Sequence, residues 1–266
     1  MDMPVNPFRR RIAAPGAALC CWISSASAVT AEALGFAGYD FLVLDTEHAP
    51  ADMSEIIGML RAVAGTPAAP VTRVPWNDMV MIKRALDAGA QTLLLPFVQD
   101  ADEARRAVAH MRYPPDGVRG VAGTTRASRY GLVRNYAQRA ADELCLIVQI
   151  ETAAALAELP QIAAVPGVDS IFIGPSDLAA SMGHLGDFMH ADVQRALESA
   201  AKACDKAGVP SGCLAGNPAT AQRYLDYGYT WMAMSSDLGM MMSRAQEWLG
   251  DMGRAGTAPP AAPAAR

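Results

Sequence analysis

The chain reads as an α/β protein of the (β/α)8 TIM-barrel type, and three observations predict it. Strand-like and helix-like stretches alternate from end to end, the pattern of parallel strands joined by crossover helices. Eight such units fit into 266 residues, the size and rhythm of a closed barrel. A composition of 52% hydrophobic and 18% charged residues supplies the core of one large domain. An open doubly wound sheet is the structural rival, because alternation alone does not show closure.

Taken in order, the first strand is ALCCWIS (18–24). It lies within RRRIAAPGAALCCWISSASA, whose basic start, apolar middle and small-residue end resemble a secretory signal. Pro15 and Gly16 interrupt that middle, and the run is short and β-prone, so we assign it to the barrel. FLVLD (41–45), PVTRV (70–74), TLLLPFV (92–98), LCLIVQIE (144–151), SIFIG (170–174), PSGCLA (210–215) and TWMAMS (230–235) supply the other seven. Between them run the amphipathic stretches SEIIGMLRAVAG, DMVMIKRALDAG, ADEARRAVAHMR, DVQRALESAAKACDKAG and NPATAQRYLDYG. Several end in the Gly expected just past a helix C-terminus. Residues 1–252 form one barrel domain, and residues 253–266, an Ala/Pro-rich tail, bury nothing and are expected to be disordered. The one long irregular piece, 112–135, is expected to be functional on account of its length.

Composition excludes some functions. With 22 Lys+Arg against 27 Asp+Glu, a formal net charge of −5, and no basic stripe on any expected helix, nucleic acid is not a partner. No stretch reaches the ~20 apolar residues of a membrane span. The five cysteines lack CxxC spacing and fit packing in a reducing cytoplasm; Cys145 and Cys213, on strands, are read the same way.

In a barrel, chemistry gathers at the C-terminal ends of the strands. Trp22, then Asp45, Glu47 and His48, then Arg73, Gln149, Glu151, Ser176 and Asp177 all fall there. Glu151 and Asp177 come from adjacent strands without Cys or His beside them, a hard oxygen pair suited to Mg²⁺ or Mn²⁺. Either acid could instead cap the helix that follows it. His48, three residues after Asp45, reads as a base oriented by that carboxylate, although a lone His is more often a satisfied core residue. Arg73 inside a strand requires an anionic partner. Lys83, Lys202 and Lys206 are the only lysines and lie in helical patterns, so a Schiff-base mechanism has no nucleophile. His110, His184 and His190 show no ligand spacing and read as surface residues, and MAMSSDLGMMM reads as core filler.

LDTEHAP, VTRVPWND, RYPPDGVRG, RASRYG, VQIET and IFIGPSDLAASMG, in this order and spacing, resemble the HpcH/HpaI aldolases, class II pyruvate aldolases acting on 4-hydroxy-2-oxo acids. The likeness spans about residues 15–250. It implies a barrel that swaps its C-terminal helix with a neighbour and assembles as a hexamer, a trimer of dimers, in aromatic or sugar-acid catabolism. It further implies a divalent metal on Glu151 and Asp177, Mg²⁺ or Mn²⁺ with Co²⁺ as a possible substitute, and no PLP or NAD. His48 is implied as base, with Asp45 and Asp87 raising its basicity, and Arg73 as the group facing the enolate oxygen. Gln149 and the backbone of Gly174, Pro175 and Ser176 would hold the substrate carboxylate, with Trp22 and Leu214 lining the pocket. Asp87 enters only through the resemblance. Thr46 and the CLAGN segment at 213–217 depart from the family pattern and leave the acceptor side of the pocket open. Arg119, Arg126 and Arg129 either meet a distal substrate carboxylate, across a subunit boundary if need be, or serve a solvated loop or interface. A lyase acting on a CoA thioester of the citramalyl or malyl type, and a barrel without catalysis, are the alternatives.

Overall fold

The computed structural model describes residues 1–254, so nearly all of the expected tail lies outside the described residues. Eight parallel strands, β1 (Ala18–Ile23), β2 (Phe41–Asp45), β3 (Ala69–Arg73), β4 (Thr92–Leu95), β5 (Cys145–Ile150), β6 (Ser170–Ile173), β7 (Ser211–Leu214) and β8 (Trp231–Ser236), follow one another around a closed barrel. β8 pairs with β1, which rules out the open sheet. The helices are α1 (Pro7–Ala13), α2 (Ala28–Phe36), α3 (Met53–Val63), α4 (Met79–Asp87), α5 (Ala101–Met111) and α6 (Tyr136–Arg139). After them come α7 (Ala153–Ala157), α8 (Leu159–Ala163), α9 (Pro175–Ser181), α10 (Ala191–Ala207), α11 (Pro218–Tyr227) and α12 (Asp237–Asp251). Among the described residues no helix is long and apolar enough to cross a membrane.

The strands read as continuous apolar runs because both their faces are covered. Trp22, Val43, Val71, Ile147 and Phe172 point into the barrel. Their neighbours Ile23, Leu42, Leu44, Leu146 and Val148 pack outward under the helices. Successive side chains alternate between faces, and this parity places the polar residues. The inward series Phe41, Val43 of β2 continues to Asp45; Ala69, Val71 of β3 continues to Arg73; and Cys145, Ile147 of β5 continues to Gln149 and then Glu151.

An aromatic column fills the barrel below them. Phe8 of α1 is fully buried and meets Phe41 edge-on at 4.8 Å; Phe41 lies 5.4 Å from Trp231; Trp231 stacks on Phe172 at 5.2 Å, and Phe172 lies 5.2 Å from Trp22. Thus the basic N-terminal run belongs to a helix that closes the barrel floor, with Asn6 capping it by accepting the Arg9 N–H. Trp231 has room only because residue 212 is glycine: a Cβ there would stand 2.1 Å from the indole ring.

One expectation needs correction, and the place of one segment becomes clear. β4 stops at Leu95 and not at residue 98, because Pro96 has no N–H to give the ladder and Phe97 turns the chain with φ +56°. Segment 112–135 joins the end of α5 to β5 and therefore lies at the floor of its own barrel, opposite that barrel's mouth. Its Arg126 donates to the Ala88 carbonyl (2.9 Å), and its fully buried Arg119 binds Asp87 (2.7 Å) over the Tyr113 ring. Both serve the C-terminal end of α4, whose exposed carbonyls favour cations.

Candidate active site

A cavity of about 420 Å³ opens at the C-terminal mouth, lined by Trp22, Asp45, His48, Arg73, Gln149 and Asp177, together with Gly174, Pro175, Ser176 and Leu214. Residues from seven of the eight strands thus meet in one concavity.

Arg73 is its fixed positive charge. Asp45 and Arg73 stand opposite each other in the β2–β3 register. The guanidinium forks onto both carboxylate oxygens, Nε–Oδ1 at 2.8 Å and Nη2–Oδ2 at 2.7 Å. Its remaining nitrogen, Nη1, lies 2.6 Å from Glu47 Oε2 as an ion pair without hydrogen-bond alignment. Trp22 lies beneath it, 5.1 Å from ring centroid to Cζ. Desolvated, bidentate and stacked on an aromatic face, the group has one orientation, which a lysine could not reproduce.

This arrangement corrects the expected Asp45–His48 pair. Asp45 spends both oxygens on Arg73, and its Oδ1 also accepts the Glu47 N–H (3.0 Å) and the His48 N–H (3.5 Å), which turns the chain after β2. The His48 imidazole is not oriented by Asp45. It is 70% exposed at the mouth, with Nε2 3.9 Å from Glu47 Oε1. Asp87 lies elsewhere within one chain: α4 runs back to the floor, so there Asp87 sits at the opposite end from His48 and pairs with Arg119. Thr46, a departure from the family pattern, ties β2 to β3 by donating its hydroxyl to the Arg73 carbonyl (2.6 Å).

The acids form the second half of the site. Glu151 is 3% exposed; its Oε1 accepts the Phe97 N–H (2.9 Å), which the positive φ of Phe97 aims there, and Oε2 accepts from Gln149 Nε2. Burial, with Asp177 and Glu47 adding to it, pushes the Glu151 carboxyl up to about 7. Burial also raises Glu47, against the pull of Arg73. Gln149 Oε1 is buried without a partner. Gly174 is required beside them, since a Cβ would stand 2.8 Å from Glu151 Oε2 and 3.3 Å from Gln149 Nε2. Asp177 and Ser176 occupy the first turn of α9, which has no side-chain cap. Four carboxylates, Asp45, Glu47, Glu151 and Asp177, therefore surround one guanidinium, which is already paired with the first two, with an orphaned amide oxygen alongside. The set is short of positive charge and offers only oxygen donors, which suits a hard divalent cation.

Glu47 was not singled out from sequence for a role at the site, yet it shares the parity of Asp45 and so had to face inward if the strand path continued. His184 and His190, read as separate surface residues, are instead stacked with ring centroids 3.6 Å apart. Alternation carries no signal for that, because both lie in a loop.

The chain is similar to known proteins over most of its length. The chain is 48% identical over 233 residues to the 2-dehydro-3,6-dideoxy-6-sulfogluconate aldolase of Pseudomonas putida, covering 88% of this chain and 91% of that one. It is 47% identical over 252 residues to the hydroxypyruvate/pyruvate aldolase of Sagittula stellata, covering 93% and 100%. The crystal structure of an HpcH/HpaI aldolase/citrate lyase family protein from Burkholderia cenocepacia superposes with a TM-score of 0.90 at 42% identity, covering 94% of this chain and all of that one. The profile of one family, described as HpcH/HpaI aldolase/citrate lyase, matches residues 18–243, and the chain belongs to that family.

Proposed function

We propose that the protein is a divalent-metal-dependent pyruvate aldolase, a carbon–carbon lyase that reversibly cleaves a 4-hydroxy-2-oxo acid into pyruvate and an aldehyde. The observation that carries this reading is that one cavity is lined by both Arg73 and Asp177, with Glu151 and Glu47 close enough to Asp177 and to each other to raise the Glu151 carboxyl, and with all three lysines on helices and none at the mouth.

Glu151 and Asp177 would hold Mg²⁺ or Mn²⁺, and Co²⁺ suits the same donors. Such an ion, when bound, supplies Lewis-acid polarisation of the 2-oxo group. The protein's own groups do the rest. Gln149 and the uncapped first-turn N–H groups of α9 hold the substrate carboxylate. His48, exposed at the mouth, takes the proton of the 4-hydroxyl. The C3–C4 bond breaks, the aldehyde leaves, and the electron pair spreads from C3 onto the C2 oxygen, which Arg73 faces with a charge fixed before the reaction begins. Protonation at C3 then completes the methyl group of pyruvate. Leu214, Ser235 and Ser236 line the wall toward which the aldehyde portion extends. Two hydroxyls there, and the sulfogluconate in the name of one relative, support a hydroxylated, sugar-derived aldehyde over an aromatic-degradation product.

Assembly belongs to the same reading. Leu238, Met241, Met242, Trp248 and Leu249 of α12 are exposed, which supports exchange of α12 with another copy in a hexamer. Five free, buried cysteines are in keeping with a reducing cytoplasm.

The test is to incubate the protein with pyruvate, Mn²⁺ or Mg²⁺ and a panel of hydroxyaldehydes, with and without chelator. Metal-dependent formation of 4-hydroxy-2-oxo acids, and no trapping by borohydride, is the expected result. Condensation that survives chelation, or a borohydride adduct, overturns the proposal.

A further inference from the structure

Outside the mouth, the loop from α9 to α10 brings together three side chains of metal-ligating type. His184, His190 and Asp192 offer ligand atoms that all lie within 4.8 Å of one another, the only such His/Cys/Asp/Glu group among the described residues. The two imidazoles are nearly parallel, 15° apart with centroids 3.6 Å apart. Asp192 Oδ2 stands 3.7 Å from His184 Nε2 and 3.8 Å from His190 Nδ1.

These separations are too long for hydrogen bonds yet close to the edge of a coordination polyhedron. With bonds of ~2.0–2.1 Å, tetrahedral ligand atoms lie roughly 3.3 Å apart. The two Asp192 separations need shorten by only a few tenths of an ångström, and the stacked rings, on side chains that are all partly exposed, must turn for both in-plane lone pairs to meet at one point.

The loop is built to hold this arrangement. The His184 N–H binds the Ala179 carbonyl (2.8 Å), the Asp187 N–H binds the His184 carbonyl (2.9 Å), and the His190 N–H binds the Asp187 carbonyl (3.1 Å). Gly183 and Gly186, with φ +85° and +82°, make the turns that fold it back. An ion taken at His190 Nδ1 would displace one competing partner, while the other leaves an oxygen free. His190 Nδ1 accepts the Asp192 N–H at 3.2 Å as the cap of α10, and Arg195 engages Asp192 through the other carboxylate oxygen, Oδ1. The α10 N-terminus itself disfavours a cation, so the ligands must overcome it, and the carboxylate of Asp192 is the group that offsets it.

We propose that His184, His190 and Asp192 form a second cation site that takes a borderline first-row ion of the Zn²⁺ class and staples the α9–α10 loop. Two imidazoles and one carboxylate select Zn²⁺, Ni²⁺ or Cu²⁺ over Mg²⁺, so this site and the all-oxygen pair Glu151 and Asp177 differ in metal preference. The staple closes on the segment that follows Asp177 in the chain, and its ion stiffens that segment without touching the mouth cavity.

Zn²⁺ binding to the full chain tests this, with Glu151→Gln/Asp177→Asn removing the mouth acids. One Zn²⁺ per chain should remain in that double variant, raising the thermal midpoint, and adding His184→Ala should lower its affinity by ~100-fold or more and abolish the shift. Asp192→Asn, which keeps the side chain's size, should weaken binding in the same direction. Cu²⁺ bound to the double variant should show electron-spin coupling to two nitrogens, a readout that does not depend on a loop variant folding. Absence of Zn²⁺ binding in the double variant, unchanged affinity in His184→Ala, or coupling to fewer than two nitrogens overturns the site.

Discussion

Glu151 sits in the mouth with its carboxyl raised from 4.5 to about 7, chiefly by burial. The sign follows from proton counting. Between pH 4.5 and about 7 the folded chain keeps a proton that the unfolded chain has lost, so stability without metal falls as pH rises through that window. Binding a cation to Glu151 expels the same proton. Mn²⁺ affinity should therefore climb by up to tenfold per pH unit below about 7 and level off above it, as calorimetry at several pH values would show; a flat profile from pH 5.5 to 8 would remove Glu151 from the ligand set. Gly174→Ala should weaken Mn²⁺ binding by ~10-fold or more at little cost to folding, since its Cβ would meet Glu151 Oε2 at 2.8 Å. Arg73→Lys keeps the charge but loses the fork onto Asp45, and turnover should fall by ~10²-fold, the scale of a lost charge stabiliser. At this scale much of the site was legible: Asp45, Arg73, Gln149, Glu151 and Asp177 were marked by polar residues ending apolar runs. Pairing was not legible. Asp45 could equally have faced His48 or Arg73, and only the β2–β3 register decides for Arg73.

The strands and helices follow from simpler physics. Each strand was readable because parallel strands covered on both faces are apolar throughout, and errors arose where a proline or a left-handed residue cut a run short, as at Pro96 and Phe97. α1 was missed because seven residues with three arginines show no apolar stripe; its anchor is the single ring of Phe8. Removing that ring in Phe8→Ala should cost ~3–5 kcal/mol, the usual range for a buried aromatic, and denaturant unfolding would measure it. Gly212→Ala should be at least as damaging, because the added methyl collides with the Trp231 ring. Within one chain segment 112–135 braces the floor through Arg119 and Arg126. Its position after a helix and before a strand already assigned it to the floor.

For the molecule as a whole, the barrel gathers into one cavity residues that lie as far apart in sequence as Trp22 and Asp177, and leaves an apolar row on α12 facing outward. Light scattering should report an assembly of six chains, and ending the chain after Ser236 should reduce it to smaller species. On the proposed mechanism, Arg73 and a cation held by Glu151 and Asp177 together stabilise the enolate of pyruvate. The most direct measurement is exchange of the pyruvate methyl protons in D₂O, followed by NMR without any aldehyde. Exchange should require Mn²⁺ or Mg²⁺, stop on chelation, and fall by ~10²-fold or more in Glu151→Gln and in Arg73→Ala. Exchange at the wild-type rate in either variant, or in chelator, would contradict the account.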